Sequence, residues 1–219
     1  MSNLSTDSPQ PQSKYRLKYF DLRGRGEFLR MMLAYAGAEW EDDRVGPEFP
    51  EVKPTLLHGV MPVLYEDDKE PLNQMLAIAT YLAQKFGLGG STNEEKARCL
   101  ETSSWVLMDL STLTQGWYTA KVFEQNDEKA MEALEKAKPK LLAAAKILNE
   151  KLEKNGGQFY VGKKLTWTDF VVGEHFYRLE KSVDDSLLDE FESIRNHGER
   201  LHQLPKLQKY LENRPYSVY

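Results

Sequence analysis

The sequence predicts an α/β domain followed by an all-helical domain. Two observations carry this prediction. Strand-like runs alternate with helical periodicity across residues 15–88, whereas strand signals vanish and long helical patterns take over across residues 91–219. A glycine-rich stretch, 87–90, separates the two regions. Residues 1–14 are polar and contain two prolines, which predicts a disordered tail before the first domain.

The elements of the first domain follow the order βαβ and then ββα. Residues 15–20 alternate in polarity and are rich in aromatics, as strands are, and residues 27–36 place apolar side chains at helical spacing. The acidic run 40–45 predicts a second strand, and the three prolines of 46–59 predict a loop. The remaining predicted elements are a hairpin formed by 62–65 and 70–72 and a helix over 75–86.

The second domain shows only helical patterns. Residues 94–117 and 128–154 predict two long helices, and the lysines and glutamates of the second alternate as on a solvated face. Thr166 and Asp169 form a capping-box pattern that opens a buried helix. Cys99 lies within a helical pattern and is predicted to be a core residue.

Composition excludes several functional classes. The chain has 219 residues, 41% hydrophobic and 29% charged, with a net charge of −5, which predicts a soluble protein that does not bind nucleic acid. No apolar run reaches the ~20 residues of a membrane helix, and the N-terminus lacks the apolar core of a signal peptide. A single cysteine excludes an internal disulfide and fits a reducing, cytoplasmic location. The four histidines lack metal-ligand spacing, which predicts no metal site and places them at the surface or the edge of the core.

A proline directly before a short apolar strand is the clearest binding signal. An X-Pro bond becomes cis at low cost, and a cis Pro62 would expose the N–H and C=O groups of Met61 to an extended peptide. The helix that begins after Gln74 offers free N–H groups and a positive dipole end to a carboxylate. These features together predict a site for a short, acidic, peptide-like molecule.

Tyr19 and Arg25 lie at the predicted junction between the first strand and the first helix. A phenol and a guanidinium at this position could stabilise an anion. The plainer alternatives are a strand-end aromatic for Tyr19 and a surface ion pair with Glu27 or Asp21 for Arg25.

The order of several motifs resembles a cytosolic glutathione transferase. The motifs are Tyr-x-Leu-x-Tyr-Phe, Arg-Gly-Arg-Gly-Glu, Lys-Pro-Thr, Met-Pro-Val-Leu and Gln-x-x-Ala-Ile, and the resemblance spans residues 15–219. The sigma class is closest, including its nematode-like branch and the haematopoietic prostaglandin D synthase type. The resemblance implies a thioredoxin-like first domain, a cytoplasmic homodimer, glutathione as co-substrate with no further cofactor, and a hydrophobic electrophile. Isomerisation of prostaglandin-like endoperoxides is implied as an additional reaction.

The resemblance also implies a role for each site residue. Tyr19 would hydrogen-bond the glutathione sulfur and favour the nucleophilic thiolate, with Arg25 in support. The residues implied to bind glutathione are Phe49, Lys53, Met61, Pro62, Gln74 and Met75. Helix residues implied to line the second-substrate site, and equally compatible with core packing, are Trp105, Met108, Leu113, Trp117 and Tyr118.

Three positions depart from the family pattern. Phe49 replaces a tryptophan that is usual in the sigma class, Val60 replaces glutamine or lysine, and Met75 replaces a serine that binds the γ-glutamyl carboxylate. Each change removes a hydrogen-bond donor. The departures therefore keep a second hypothesis open, namely a non-catalytic ligand-binding or crystallin-like structural protein on the same scaffold.

Overall fold

A computed structural model describes residues 13–217. The first part of this range is an α/β unit whose elements follow the predicted order. They are β1 (Lys14–Phe20), α1 (Glu27–Ala36), β2 (Glu39–Val45), α2 (Phe49–Val52), β3 (Val63–Glu66), β4 (Leu72–Asn73) and α3 (Met75–Lys85). The predicted disordered tail falls outside the described residues, except for its last two positions, and Lys14 already belongs to β1.

The strands form one mixed sheet in the order β2-β1-β3-β4. β1 pairs in parallel with β2, and β3 runs antiparallel to both β1 and β4. This is the thioredoxin-like arrangement that the resemblance implied. The parallel pair requires the α1 crossover, so the loop between β1 and α1 lies at the end of a central strand.

Proline positions explain where the predicted boundaries were wrong. Pro62 and Pro71 lack the N–H group that a strand ladder uses, so β3 and β4 begin one residue after each of them. Pro50 and Pro54 lie in the first turns of α2 and of a 3₁₀ turn, Lys53–Thr55, inside the segment predicted as loop. Proline is tolerated at such positions because their N–H groups have no intrahelical partner.

The rest of the described chain is helical. Its helices are α4 (Asn93–Ser104), α5 (Ser111–Leu113), α6 (Gln115–Tyr118), α7 (Asp127–Lys154), α8 (Trp167–Ser182), α9 (Glu192–His202) and α10 (Pro205–Asn213). α8 begins at the predicted capping box, where the Asp169 carboxylate accepts from the Thr166 N–H over 2.7 Å. Cys99 is fully buried, and burial raises the pKa of its thiol, as expected for an inert core residue.

The prediction of one continuous helix over 94–117 was wrong. Within this range, a π-helical segment, Trp105–Leu110, and a turn at Thr114 interrupt the regular structure, and a second π-helical segment, Thr119–Phe123, follows the range. The hydroxyl of Ser111 donates to the Leu107 carbonyl over 2.6 Å, so a side chain competes with the backbone N–H groups for this acceptor. Apolar periodicity does not reveal this competition, because the core-facing residues still recur at nearly the same spacing.

The prediction that the histidines lie at the surface or the core edge was wrong for three of them. His175, His197 and His202 are all less than a tenth exposed. Each lies on a helix of the helical part, and two of them contact buried carboxylates, Asp169 and Glu174. Within residues 13–217, no helix is long and apolar enough to cross a membrane.

Candidate active site

Tyr19 is the penultimate residue of β1, and its side chain is turned towards the loop that follows. The ring is buried, with 6% exposed. The hydroxyl oxygen lies 3.1 Å from the backbone nitrogen of Arg25, which donates to it. Because a phenol that accepts a hydrogen bond still carries its own O–H, this contact orients the hydroxyl without using its proton.

Two glycines allow the loop to pass close to the Tyr19 ring. A Cβ atom on Gly26 would lie 2.4 Å from Tyr19 Cδ1, and one on Gly24 would lie 3.0 Å from the hydroxyl oxygen. Gly24 also has a φ of 40°, a backbone conformation that residues with a side chain rarely adopt. The glycines of the Arg-Gly-Arg-Gly motif are thus required by the position of the tyrosine.

The acids considered as ion-pair partners for Arg25 are engaged elsewhere. The Glu27 carboxylate contacts Arg214 over 2.7 Å, and Asp21 contacts Arg44 over 3.2 Å. Neither therefore forms the surface ion pair that was the alternative for Arg25. The Arg25 side chain is exposed and lines a cavity.

One cavity of about 580 Å³ brings the predicted binding residues together. Its wall consists of Phe20, Arg25, Phe49, Lys53, Gly59, Val60, Met61, Pro62, Gln74, Met75, Leu76 and Met108. Every residue predicted to bind glutathione belongs to this wall, as does Arg25, whereas Tyr19 does not. The hydroxyl of Tyr19 contacts Arg25 and its ring packs edge-on against Phe20, so Tyr19 adjoins the cavity through two wall residues.

A larger cavity of about 730 Å³ lies elsewhere, between the start of α4 and the end of α7. Its wall carries several glutamates together with Arg98 and Lys151, both of which pair with Glu101. None of the residues that the sequence associates with chemistry lines it. We therefore assign the candidate site to the smaller cavity.

The backbone at the cavity has two unusual conformations. The Met61–Pro62 peptide bond is cis. Gln74 immediately precedes α3 and has φ 72° and ψ 120°, which is outside the regions that side chains prefer and costs ~1–3 kcal/mol. Strained residues of this kind cluster at ligand-binding sites, and sequence reasoning did not reveal this one.

The start of α3 carries no side-chain cap in the described structure. Its first N–H groups therefore have neither an intrahelical partner nor a capping side chain. Met75, the first residue of the helix, is 8% exposed and contributes a thioether instead of a hydroxyl. An anion bound here would rely on backbone donors.

A further part of the wall is formed by the segment that contains α2. The Phe49 ring packs edge-on against Phe20, with the ring centroids 4.7 Å apart. The Lys53 side chain runs past Gly59, where a Cβ would lie 3.5 Å from Lys53 Cε. Phe49, Lys53 and Val60 thus contribute one cation and two apolar side chains to the cavity wall.

Two family models match this chain. One, described as glutathione S-transferase, N-terminal domain, matches residues 15–84, and the other, glutathione S-transferase, C-terminal domain, matches residues 112–214. The chain belongs to the glutathione S-transferase family.

Individual relatives agree with this assignment. Probable glutathione S-transferase 7 of Caenorhabditis elegans is 33% identical over 210 residues, which cover 94% of this chain and 98% of the relative. The solved structure of monomeric Na-GST-3 from Necator americanus has a TM-score of 0.85 at 28% identity, covering 94% of this chain and 100% of its own. Prostaglandin synthase D of Nilaparvata lugens has a TM-score of 0.76 at 27% identity, covering 93% and 100%. The family, fold class and enzyme class predicted from the sequence are confirmed.

In this transferase, the helix candidates for the second-substrate site separate into two groups. Met108 is 51% exposed and lines the cavity, whereas Trp117 and Tyr118 are buried in the core. Trp105 and Leu113 are half-buried and pack against that core. Met108 lies in the first π-helical segment, next to the exposed Asp109, and side-chain exposure of this kind follows from tertiary packing that periodicity does not report.

Proposed function

We propose that this protein activates the thiol of glutathione for attack on hydrophobic electrophiles. The observation that carries the proposal is the Tyr19 hydroxyl, which is oriented by the Arg25 N–H beside a cavity that contains a cis proline and an uncapped helix start. A free thiol with a pKa of ~8.5 is mostly protonated at neutral pH. A hydrogen bond from Tyr19 to the sulfur favours the thiolate, and the nearby cation of Arg25 adds to this effect.

The proposed reaction forms one C–S bond. The thiolate donates an electron pair to an electrophilic carbon, and the leaving group departs with the electron pair of the bond that breaks. The Met61 backbone holds the cysteinyl part of glutathione, Gln74 and the start of α3 hold the γ-glutamyl end, and Lys53 holds the glycyl carboxylate. Met108 and Leu76 contribute apolar surface for the electrophile.

Several finer features belong to the same proposal. We assign the protein to the sigma class, as a cytoplasmic homodimer that requires no cofactor besides its co-substrate and in which 15–88 and 91–219 are the two domains. Isomerisation of prostaglandin-like endoperoxides is a candidate second reaction, supported by the likeness to prostaglandin synthase D. The monomeric relative Na-GST-3 makes the oligomeric state a direct question for sedimentation measurements.

Calorimetric titration with glutathione tests the proposal, together with the rate of conjugation to a chloronitrobenzene. Saturable binding and a conjugation rate above that of free glutathione support it. Absence of both would leave the alternative, a non-catalytic ligand-binding protein on the same scaffold. The apolar side chains at Phe49, Val60 and Met75 favour that alternative, since each lacks a donor for the peptide.

A further inference from the structure

Buried charges join the loop between β1 and α1 to the helical part of the chain. Arg23 lies in this loop, and its Nε donates to Glu174 Oε1 over 2.8 Å, with Nη2 2.7 Å from the same oxygen. The two residues are 151 positions apart in the sequence. Arg23 is 6% exposed and Glu174 is 4% exposed, so little water reaches the contact.

The second oxygen of Glu174 is also held. Glu174 Oε2 lies 3.0 Å from His202 Nε2, and the His202 ring stacks on Tyr177 with centroids 3.7 Å apart. Arg214 Nη1 lies 3.9 Å from the same oxygen. Burial alone would raise the pKa of the Glu174 carboxyl, but Arg23, His202 and Arg214 outweigh it and lower that pKa. The carboxylate is therefore ionised and fixed in one orientation.

The loop backbone connects Arg23 to Tyr19. The Arg23 carbonyl accepts from the N–H groups of Gly26 over 3.2 Å and Glu27 over 2.9 Å, which closes the turn that contains Arg25. The Arg25 N–H then donates to the Tyr19 hydroxyl. Consecutive contacts thus lead from Glu174 on α8 to the hydroxyl at the end of β1.

We propose that Glu174 is a positioning residue for thiol activation: by holding Arg23, it fixes the turn whose Arg25 N–H aims the Tyr19 hydroxyl at the sulfur. This inference rests on the proposed function of Tyr19. Glu174 does not line the cavity and acts only through Arg23. Its effect is nevertheless large, because a displacement of ~1 Å in a reacting group can cost on the order of 100-fold in rate.

The substitution Glu174→Gln tests the proposal, because it keeps the shape of the side chain and removes its charge. We expect kcat for conjugation to fall about 10- to 100-fold while KM for glutathione changes little. The midpoint of the thiolate absorbance titration should move to higher pH. Glu174→Asp, which restores the charge on a shorter side chain, should recover part of the rate.

Glu180→Gln is the matched control. Glu180 lies on the same helix, is also 4% exposed, and binds Arg195 over 2.5 Å, but its ion-pair partners all lie in the helical part. This variant should lose stability while keeping the wild-type kcat and titration midpoint. Equal losses of kcat in the two variants, or an unchanged kcat and midpoint in Glu174→Gln, would overturn the positioning role.

Amide hydrogen exchange separates this inference from the proposed function. The Arg25 amide should exchange faster in Glu174→Gln than in Glu180→Gln or the wild type, whether or not glutathione is present. If the wild type neither binds nor conjugates glutathione, the proposed function fails and with it the role in thiol activation. Unchanged exchange of the Arg25 amide in Glu174→Gln, in an enzyme whose wild type is active, would instead overturn only the positioning role of the Arg23–Glu174 contact, which we call the tether.

Discussion

The two walls of the candidate site are built in different ways. The wall around Tyr19 is held by buried charges, among them Arg30, which is fully buried and donates to the carbonyls of both Phe20 and Leu22. The wall formed by Phe49, Val60 and Met75 is apolar where the family resemblance implies hydrogen-bond donors. The Tyr19 hydroxyl assigned to thiol chemistry is thus strongly constrained, whereas the donors assigned to peptide recognition are reduced to the side chains of Lys53 and Gln74 and to backbone atoms.

The difference has a physical explanation. Removing one member of a buried charge cluster leaves its partner unpaired in the low-dielectric interior, which lowers the free energy of unfolding by ~3–5 kcal/mol. Losing one side-chain contact to a ligand costs ~1.5–3 kcal/mol of binding and leaves the fold intact. The first wall therefore tolerates little change, while the second can change one residue at a time.

Replacing Arg30 should produce the largest effect and would break the constrained wall. Arg30→Met leaves the Phe20 and Leu22 carbonyls without their donor and removes one of the two guanidinium groups that hold the Asp42 carboxylate, Arg30 at 2.7 Å and Arg44 at 2.7 Å. We expect the free energy of unfolding to fall by ~3–5 kcal/mol. Urea denaturation of wild type and variant measures it.

Arg16→Met provides the control for Arg30. Arg16 also pairs with an aspartate of β2, at 2.7 Å, but its side chain is 37% exposed. An exposed pair contributes ~0–1 kcal/mol. Similar losses in the free energy of unfolding of Arg30→Met and Arg16→Met would contradict the view that burial makes the Arg30 contacts more stabilising than an exposed ion pair.

Tyr19→Phe should remove the chemistry while leaving both walls in place. Loss of one positioned donor to a developing anion typically costs on the order of 10²–10³ in kcat. The thiolate titration midpoint of the glutathione complex should rise as well. Tyr15→Phe is the control, since Tyr15 lies on the same strand, is also buried, and does not adjoin the cavity. If Tyr19→Phe leaves the rate and the midpoint unchanged, the assignment of Tyr19 is wrong.

Met75→Ser should sharpen the comparison, because it adds a hydrogen-bond donor to the apolar wall formed by Phe49, Val60 and Met75. A serine at the start of α3 adds a hydroxyl donor next to the N–H groups to which we assign the γ-glutamyl carboxylate. The affinity for glutathione should increase ~10-fold or more, as expected for a hydrogen bond to a charged group. Calorimetric titration measures the change.

Met75→Ala distinguishes the added hydroxyl from the removed thioether. Alanine makes the same space without a donor, so its affinity should stay close to that of the wild type. Equal tightening in both variants would show that methionine obstructs the ligand. No detectable binding in wild type or either variant would sink the glutathione assignment and leave the family and the fold.

Thr166→Ala should have the smallest effect and should touch neither wall. Loss of the helix cap at the start of α8 costs ~0.5–2 kcal/mol. Glutathione affinity and kcat of the folded variant should match the wild type, because Thr166 is buried and does not line the cavity. A variant that melts normally but loses activity would assign Thr166 a functional role.

Local patterns in the sequence predicted what local chemistry determines. The strand that carries Tyr19, the proline before β3 and the capping box at Asp169 each have a short-range signature, and the structure contains all three. The tether from Arg23 to Glu174 has none, because its members are distant in sequence and each resembles an ordinary surface charge. The positive φ of Gln74 was equally hidden, since glutamine does not favour that conformation and only the surrounding structure imposes it.

The contacts of Glu27 set a limit on how this protein can be divided. Glu27 begins α1 and is fully buried, yet it accepts hydrogen bonds from Tyr210 and Arg214 near the other end of the described chain. A shortened chain that ended after α3 would present Glu27, together with Arg23, to solvent without these partners. A chimera that joins this thioredoxin-like unit to the helices of a relative therefore needs matching residues at positions 174, 210 and 214. The two units have to be exchanged together if these buried charges are to keep their partners.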